Sequence, residues 1–227
     1  MTVPVSPSTL ALLRTLGEVR LEGASAVLAS RRKELTLLAY LARRMPRPVT
    51  RAELASLLWE DRVDAKARQS LRQALLDLKR LLGAALVLEG DSVHLESGLR
   101  LDATAFEEEL AQGNPAGAVE WWRGDFLAGM DDVGGEGFRG WVEAEREGLR
   151  RQLAVAYEQL ILESEARGDR ATRLKHAERW ADLRPLDETA QRHLVESLAA
   201  AGRLTEARAR HSATTTRMRA ELEAEPT

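Results

Sequence analysis

The last third of the sequence repeats itself with a period of 34 residues, and few folds are compatible with that spacing. The residues that recur are Leu160, Ile161, Ala166 and Gly168, which reappear as Leu194, Val195, Ala200 and Gly202. This period is typical of tetratricopeptide helix pairs, in which the glycine permits a tight turn and the alanine lets two helices approach closely. The repeat therefore predicts stacked helix pairs near the C-terminal end of the chain.

Helical patterns cover the whole of residues 102–227. The predicted helices begin near Asp102, Asn114, Gly137, Asp169, Asp187 and Leu204. The longest spans about Phe138–Arg167 and carries apolar residues along one side, which is typical of a helix that packs against others. We expect Trp141, early in this helix, to be a core residue whose truncation unfolds the second domain and leaves the first unaltered. The patterns predict an all-α, tetratricopeptide-like domain over residues 102–227.

The first 101 residues mix strand and helix patterns. The predicted elements are short strands within Leu10–Leu28, a helix from Ser30 to about Met45, a helix capped by Thr50 and ending near Trp59, a helix capped by Asp64 and ending before Gly83, and a hairpin over Leu86–Leu95. Thr50 and Glu53 have the spacing of a capping box, and Gly90-Asp91 is a hairpin turn signal. The order of strands, three helices and a hairpin predicts an α+β winged helix-turn-helix domain over residues 1–101.

The charge is distributed unevenly along the chain. The net charge is -3, but residues 1–105 contain 16 Lys and Arg against 12 Asp and Glu, whereas residues 106–227 contain 17 against 24. Such a difference between halves suggests a module that faces phosphates, joined to a module that faces another partner. The charge pattern is therefore compatible with a nucleic-acid-binding N-terminal domain.

The third predicted helix has the pattern of a DNA-reading helix. One face is apolar, and the opposite face is rich in Arg and Gln, the side chains that pair with guanine and adenine in the major groove. Lys66, Arg68 and Lys79 flank this face and suit phosphate contacts, as does Arg51 at the start of the preceding helix. The predicted DNA-binding residues are Arg51, Lys66, Arg68, Gln69, Arg72, Gln73, Lys79 and Arg80. The alternative is an ordinary amphipathic helix with a solvated charged face.

Two features weaken the prediction of DNA binding. The hairpin carries Glu89, Asp91 and Glu96 but no Lys or Arg, so it should add little to phosphate binding. Leu76 lies within the polar face of the third helix, where it could contact a thymine methyl group or a partner subunit.

No residue pattern indicates an enzyme, a metal site or a cofactor site. Cysteine is absent, and His94, His176, His193 and His211 lack the spacing of metal ligands. The Gly134–Gly137 segment lacks the Lys and Ser or Thr of a phosphate-binding loop and is simply expected to join two helices. Trp121, Trp122 and Trp141 could form a ligand pocket, although packing between helices is the better interpretation.

Several stretches of the sequence resemble a known family, the antibiotic regulatory proteins of bacteria, known as SARP-type activators. LRTLGEVRLEG, ASRRKELTLLAYLA, VTRAELASLLW and ARQSLRQALLDLKRLLG resemble the OmpR-type winged helix of that family. FLAGM, FRGWVEAEREGLRRQL, ARGD and RPLDETAQRHLVESLAAAGRLTEA resemble the bacterial transcriptional activation domain that follows it. The two signatures occur in the family's order and together cover almost the whole chain.

The resemblance implies a transcriptional activator that binds direct repeats of double-stranded DNA near promoters and recruits RNA polymerase. It maps the recognition helix onto Ala65–Leu82. The implied polymerase-contact loop consists of Glu60, Asp61, Arg62, Val63 and Asp64. A homodimer on DNA is left open. The sequence departs from the family at Asp77, where members often carry a basic residue, and at Arg208–His211, which puts the packing of the last helix in question.

We expect a cytoplasmic location, because the sequence shows neither a signal peptide nor an apolar stretch long enough to span a membrane. A second function remains open from the residues alone. The chain could be a tetratricopeptide-like interaction scaffold whose winged helix binds protein rather than DNA, and the acidic hairpin and Asp77 favour that alternative.

Overall fold

The structure is a computed structural model that describes residues 11–22, 31–60, 63–96 and 98–222. The described chain is mostly helical, with small sheets in its N-terminal half. The N-terminal elements are β1 (Ala11–Arg14), β2 (Arg20–Glu22), α1 (Arg32–Arg44), β3 (Val49–Thr50), α2 (Arg51–Trp59), α3 (Asp64–Leu82), a 3-10 turn (Gly83–Ala85), β4 (Leu86–Glu89), β5 (Ser92–Leu95) and β6 (Leu99–Leu101). The remaining helices are α4 (Asp102–Ala111), α5 (Pro115–Trp121), α6 (Glu136–Ala166), α7 (Arg170–Leu183), α8 (Glu188–Ala200) and α9 (Leu204–Leu222). None of the described helices is long and apolar enough to cross a membrane.

Most predicted elements are confirmed, but two helix starts differ from the prediction: α3 begins at Asp64 itself, and Arg31 rather than Ser30 is the cap residue of α1. The side chain of Thr50 caps α2, accepting a hydrogen bond of 3.1 Å from the backbone N–H of Glu53. Asp64 is the first residue of α3 rather than its cap: Val63 occupies the cap position and contributes no side-chain hydrogen bond. Ser30, the predicted cap of the first helix, lies outside the described residues, as do Leu10 and residues 23–28.

The strands form two three-stranded sheets with different pairings. In the first sheet β1 lies between β2, which is antiparallel to it, and β6, which is parallel. In the second, β3 and β4 flank β5 in antiparallel pairs, so the predicted hairpin gains a third strand from the segment before α2. The parallel strand β6 was not predicted, because three residues are too few for an alternating pattern to be recognised and their partner strand lies far away in sequence.

A buried carboxylate joins the end of β1 to the start of α4. Asp102 is fully buried, and its Oδ1 accepts hydrogen bonds from the backbone N–H of Thr15 (2.8 Å) and the Thr15 hydroxyl (2.6 Å). Its Oδ2 accepts from the N–H of Leu16 at 3.1 Å, and Ala103 N–H completes the set at 2.9 Å. A buried charge is tolerated only when it is satisfied in this way. The residue predicted to begin the second domain therefore binds the two residues that follow β1.

The contacts divide the chain into two compact units. The N-terminal unit comprises Met1–Glu108 and Trp121–Arg150, and the C-terminal unit comprises Glu109–Glu120 and Arg151–Thr227. Residues 102–108 and 121–150 therefore pack with the N-terminal residues, although the sequence suggested a division after residue 101. The predicted domain boundary after residue 101 stays a prediction, and the boundaries of the two compact units lie elsewhere.

Aromatic side chains show why part of α6 belongs to the N-terminal unit. The ring of Trp141 lies 4.7 Å from that of Tyr40 on α1, 5.2 Å from Phe138 and 5.8 Å from Phe126, measured between centroids. Edge-on and tilted pairs of this kind are favourable beyond the area that they bury. Trp141 is half-buried and lies in the N-terminal unit, so the expectation that it is a core residue of the second domain alone is wrong.

The 34-residue repeat is visible in the hydrogen bonds of the C-terminal unit. Gly168 and Gly202 both have positive φ, 68° and 79°, and both follow a helix. Their N–H groups donate to carbonyl oxygens three residues earlier, at 2.8 and 3.0 Å. The next residues, Asp169 and Arg203, each donate to the carbonyl five residues earlier, at 2.9 Å in both cases. The two turns are thus built alike, as the repeat predicted.

A buried amide accounts for the packing of the last helix. Gln191 on α8 is 2% exposed and donates to the carbonyl oxygen of Ala181 on α7 at 3.1 Å. Its Oε1 accepts from Nε of Arg210 at 2.9 Å and from the hydroxyl of Thr214 at 3.3 Å, both on α9. The departure from the family at Arg208–His211 is therefore accommodated by polar contacts, since Arg210 packs through a hydrogen bond rather than an apolar contact.

Candidate nucleic-acid interface

The helix predicted to read DNA is amphipathic in the structure. Its buried residues are Ala67, Leu71, Ala74, Leu75 and Leu78, each no more than 6% exposed, which confirms the predicted core face except at its last position, Leu82, which is half-buried. The opposite face carries the exposed side chains of Lys66, Arg68, Gln69, Arg72 and Gln73. Long polar side chains therefore project from α3 over most of its length, and the apolar face fixes their direction.

Three of the predicted arginines line one cleft. The cleft has a volume of about 560 Å³ and lies between α2, α3 and the hairpin turn. Its lining includes Arg51, Arg68 and Arg72, and small and apolar side chains of α2 and α3, among them Trp59 and Leu71. The same lining contains the carboxylates of Glu60, Asp64 and Asp91. Three arginines from two helices are thus brought together on one surface, beside an equal number of carboxylates.

A second, adjoining concavity lies along α3 itself. It is lined by Lys66, Gln69, Ser70, Arg72, Gln73 and Leu76. Arg72 lines both concavities and is therefore central to the surface. Leu76 is 42% exposed at the edge of this face, where an apolar group could contact a thymine methyl.

Arg51 gives the acidic hairpin a positive charge. Its backbone N–H donates to the carbonyl oxygen of Asp91 at 2.9 Å, and its Nε donates to that of Gly90 at 3.1 Å. The guanidinium group is therefore held at the hairpin turn, close to Asp91. The hairpin sequence contains no Lys or Arg, but in the folded protein Arg51 lies beside the hairpin turn.

The predicted DNA-binding residues differ in how freely they can reach a ligand. Within the described part of the chain, no side-chain hydrogen bond or ion pair engages Lys66, Arg68, Gln69 or Arg72. Lys79 is held differently, because its Nζ donates to the carbonyl oxygen of Leu86 on β4 at 2.7 Å. A side chain already bound to the backbone must give up that bond to reach a phosphate.

Gln73 and Arg80 both bind Asp77. The Nε2 of Gln73 donates to the two carboxylate oxygens at 3.1 and 3.2 Å, and a guanidinium nitrogen of Arg80 donates to Oδ1 at 3.0 Å. Arg31, at the start of α1, also forms an ion pair with Asp77. The hydrogen bond from Gln73, followed by that from Arg31, holds the pKa of Asp77 below its usual value. Sequence reasoning missed Arg31, since it lies 46 residues from Asp77.

The predicted polymerase-contact loop is only partly described. Val63 is 75% exposed and Asp64 is exposed as well, whereas Asp61 and Arg62 lie outside the described residues. Glu60 is bound within the protein: its carboxylate accepts from the N–H of Glu136 at 2.8 Å, at the start of α6. A side chain at Gly135 would collide with Glu60, because an added Cβ would lie 1.9 Å from its Oε2.

The structure also describes the surroundings of the residues considered for a metal site or a ligand pocket. In the described residues, no cluster of three or more His, Asp or Glu side chains is placed to hold a metal ion. Trp122, one of three tryptophans considered for a ligand pocket, is 1% exposed and packs edge-on against Phe106 at 5.5 Å. Trp121 lies beneath two guanidinium groups, those of Arg14 and Arg100, at 5.4 and 4.9 Å.

A comparison with protein families decides the class of the chain. Residues 92–227 match the family of the bacterial transcriptional activator domain. This protein belongs to that family. The family consists of transcriptional regulators and is not a family of enzymes. Membership supports a role in transcriptional activation.

The fold resembles that of a solved structure, Mycobacterium tuberculosis EmbR in complex with a low-affinity phosphopeptide. The TM-score is 0.66 at 20% sequence identity, and the similarity covers 96% of this chain and 61% of that chain. At this identity the likeness concerns the fold alone, and the activator spans less than two thirds of the length of the EmbR chain. No curated protein sequence matches this one. The eight predicted DNA-binding residues precede the family match, so their role rests on their geometry.

Proposed function

We propose that this activator binds specific DNA sequences through an OmpR-type winged helix, in which α3 enters the major groove and the β4–β5 hairpin is the wing. The observation that carries the proposal is the convergence of Arg51, Arg68 and Arg72 on one exposed cleft beside α3. Arginine and glutamine read base edges, whereas cations at a helix start hold phosphates. In this arrangement Arg72 reads a base, and Arg51 contacts the backbone together with the N-terminal amides of α2.

The second half of the proposal concerns activation. The DNA site would consist of direct repeats near a promoter, and two copies of the protein could bind it as a homodimer. RNA polymerase would be recruited by the loop formed by residues 60–64. Val63 supports this role, because it is a large apolar side chain that is mostly exposed. The tetratricopeptide-like C-terminal unit offers a further surface, a groove of about 540 Å³ that includes Glu178, Asp182 and Leu198. Such grooves suit protein partners better than phosphates.

The first test is the salt dependence of DNA binding by the full chain. The exposed Lys66, Arg68 and Arg72 and the half-buried Arg51 are expected to neutralise phosphates and release their counterions. Each contact contributes about 0.9 to the slope of log K against log salt, so we expect a slope of about −3 to −4 for one protomer. Binding to a random duplex, measured by fluorescence anisotropy at several salt concentrations, gives this slope directly. A slope near zero would mean that the winged helix binds protein instead, as the scaffold alternative requires.

The second test separates base reading from phosphate binding. We expect Arg72→Ala to weaken binding to the selected site by about 1–3 kcal/mol and to relax preference at one base position. Arg51→Ala should weaken binding to all sequences nearly equally, because a phosphate contact carries no sequence information. Binding of selected and random duplexes to the two variants distinguishes these results. Arg192→Ala removes an exposed arginine from α8 and serves as the control. An Arg72→Ala protein with unaltered preference would contradict the proposed orientation of α3.

A further inference from the structure

We propose that Asp77 is a positioning residue for base reading: it holds Gln73 and Arg80 in fixed orientations on α3, and thereby increases sequence discrimination at the expense of affinity for DNA of any sequence. This inference rests on the proposed function, in which α3 is the recognition helix. Asp77 itself is poorly placed to contact DNA, since its side chain is only 14% exposed, whereas that of Arg80 is 74% exposed.

The contact with Gln73 fixes the orientation of an amide. A free glutamine amide rotates and can present either its oxygen or its nitrogen to a base. Here Nε2 lies 3.1 and 3.2 Å from the two oxygens of Asp77, one helical turn away, so the amide nitrogen is directed toward the carboxylate. An amide nitrogen has two N–H donors, and the oxygen accepts independently. One donor bound to Asp77 therefore leaves the other donor and the oxygen for a bidentate pair with adenine.

Arg80 is held by the same carboxylate. One of its guanidinium nitrogens donates to Oδ1 of Asp77 at 3.0 Å, while the side chain remains largely exposed. A guanidinium has five N–H donors in a rigid plane, so the remaining donors stay available to a base or a phosphate in a restricted orientation. Restricting a long side chain before binding lowers the entropy lost on binding to the matching site.

The charge of Asp77 acts against DNA of any sequence. The group is ionised at neutral pH, because Gln73 and Arg31 hold its pKa low. An ionised carboxylate among the DNA-facing side chains repels phosphates and offsets one positive charge of the interface. Asp77 therefore has two separable effects: orientation of Gln73 and Arg80, which favours the matching site, and repulsion, which disfavours all sites equally.

The experiment measures binding of full-length Asp77→Ala to a selected duplex, to its single-base variants and to a random duplex. We expect affinity for the random duplex to rise about two- to fivefold, because a repulsive charge is lost. Discrimination should fall by about tenfold at the base positions nearest Gln73 and Arg80. Asp77→Asn keeps an acceptor oxygen without the charge, so it should raise random binding equally while retaining part of the discrimination.

Two controls separate this effect from a general change of charge or fold. Glu89→Ala removes an exposed carboxylate that holds neither reader and does not line the cleft, and should raise random binding without loss of discrimination. Arg31→Ala removes the ion pair between α1 and Asp77 but leaves the bonds to Gln73 and Arg80, so discrimination should persist. In a Gln73→Ala background, Asp77→Ala should cause no further loss at the position read by Gln73.

The outcomes distinguish this inference from the proposed function. Wild-type protein that binds selectively, together with an Asp77→Ala protein that keeps full discrimination, would overturn the positioning role alone. Additive losses from Gln73→Ala and Asp77→Ala at the same base would also overturn it, because they would show independent effects. Wild-type protein without salt-dependent DNA binding would overturn the proposed function itself, and the inference with it.

Discussion

Asp102→Ala is expected to lower the free energy of unfolding by about 3–5 kcal/mol, which is a large fraction of the stability of an ordinary domain. The carboxylate is fully buried and accepts four hydrogen bonds from the end of β1 and the start of α4. Its removal leaves the N–H groups of Thr15 and Leu16 buried without an acceptor. A buried donor without an acceptor lowers the free energy of unfolding by more than an ordinary hydrogen bond raises it. Chemical denaturation followed by circular dichroism measures the loss.

A neighbouring carboxylate provides the control for Asp102. Glu108 lies on the same helix but is exposed, so Glu108→Ala should change stability by no more than about 0.5 kcal/mol. Asp102→Asn keeps one acceptor oxygen and should lose less stability than Asp102→Ala. Equal stabilities of Asp102→Ala and Glu108→Ala would show that the carboxylate contributes nothing to the joining of β1 and α4.

The sequence predicted elements with local signals and missed contacts between distant residues. Thr50 with Glu53, and Gly168 with Gly202, are recognisable because the cap and the turns need particular residues at short, fixed spacings. The pairing of β6 with β1 has no such signal, since it joins residues almost 90 positions apart (Ala11 with Leu99). The role of Asp102 was hidden for the same reason, because an Asp before a helix usually reads as a cap.

The sequence predicted which face of α3 is exposed, but it did not predict the contacts that the side chains of the candidate site make. The apolar stripe of α3 determines which side chains are exposed, so Arg72 and Gln69 could be assigned from periodicity alone. Periodicity does not reveal that Lys79 binds the carbonyl of Leu86, or that Arg51 lies at the hairpin turn. Those contacts depend on the tertiary fold, which brings α2, α3 and the second sheet together.

The packing units also determine how the function should be tested. A fragment ending at residue 105 would lose Phe126 and Leu127, whose segment pairs with the residues after β1: Leu127 N–H donates to the carbonyl oxygen of Thr15 at 2.7 Å. Weak DNA binding by such a fragment would then report lost structure rather than a lost interface. Substitutions in the full chain avoid this ambiguity, because each alters one side chain at the surface under test.

Trp141→Ala is expected to destabilise the N-terminal unit, including α1, by about 3 kcal/mol. The indole packs on Tyr40 of α1 and on Phe126 and Phe138, with centroid distances from 4.7 to 5.8 Å. A second contact between the same helices supports this coupling, since Arg43 of α1 forms an ion pair of 2.6 Å with Glu145 of α6. The loss of the indole leaves a cavity beside Tyr40, so local opening should reach the helix on which α3 packs.

Native-state hydrogen exchange locates the effect of Trp141→Ala. We expect faster exchange in α1 and in the first turns of α6, and little change in α8, whose core contacts lie in the C-terminal unit around Trp180 and Tyr157. Trp141→Phe should keep most of the protection, because an aromatic ring still contacts Tyr40. Val155→Ala truncates an apolar side chain that is 63% exposed on the same helix, and serves as the matched control. Unchanged exchange in α1 would mean that the aromatic contacts with Tyr40 do not stabilise the N-terminal unit.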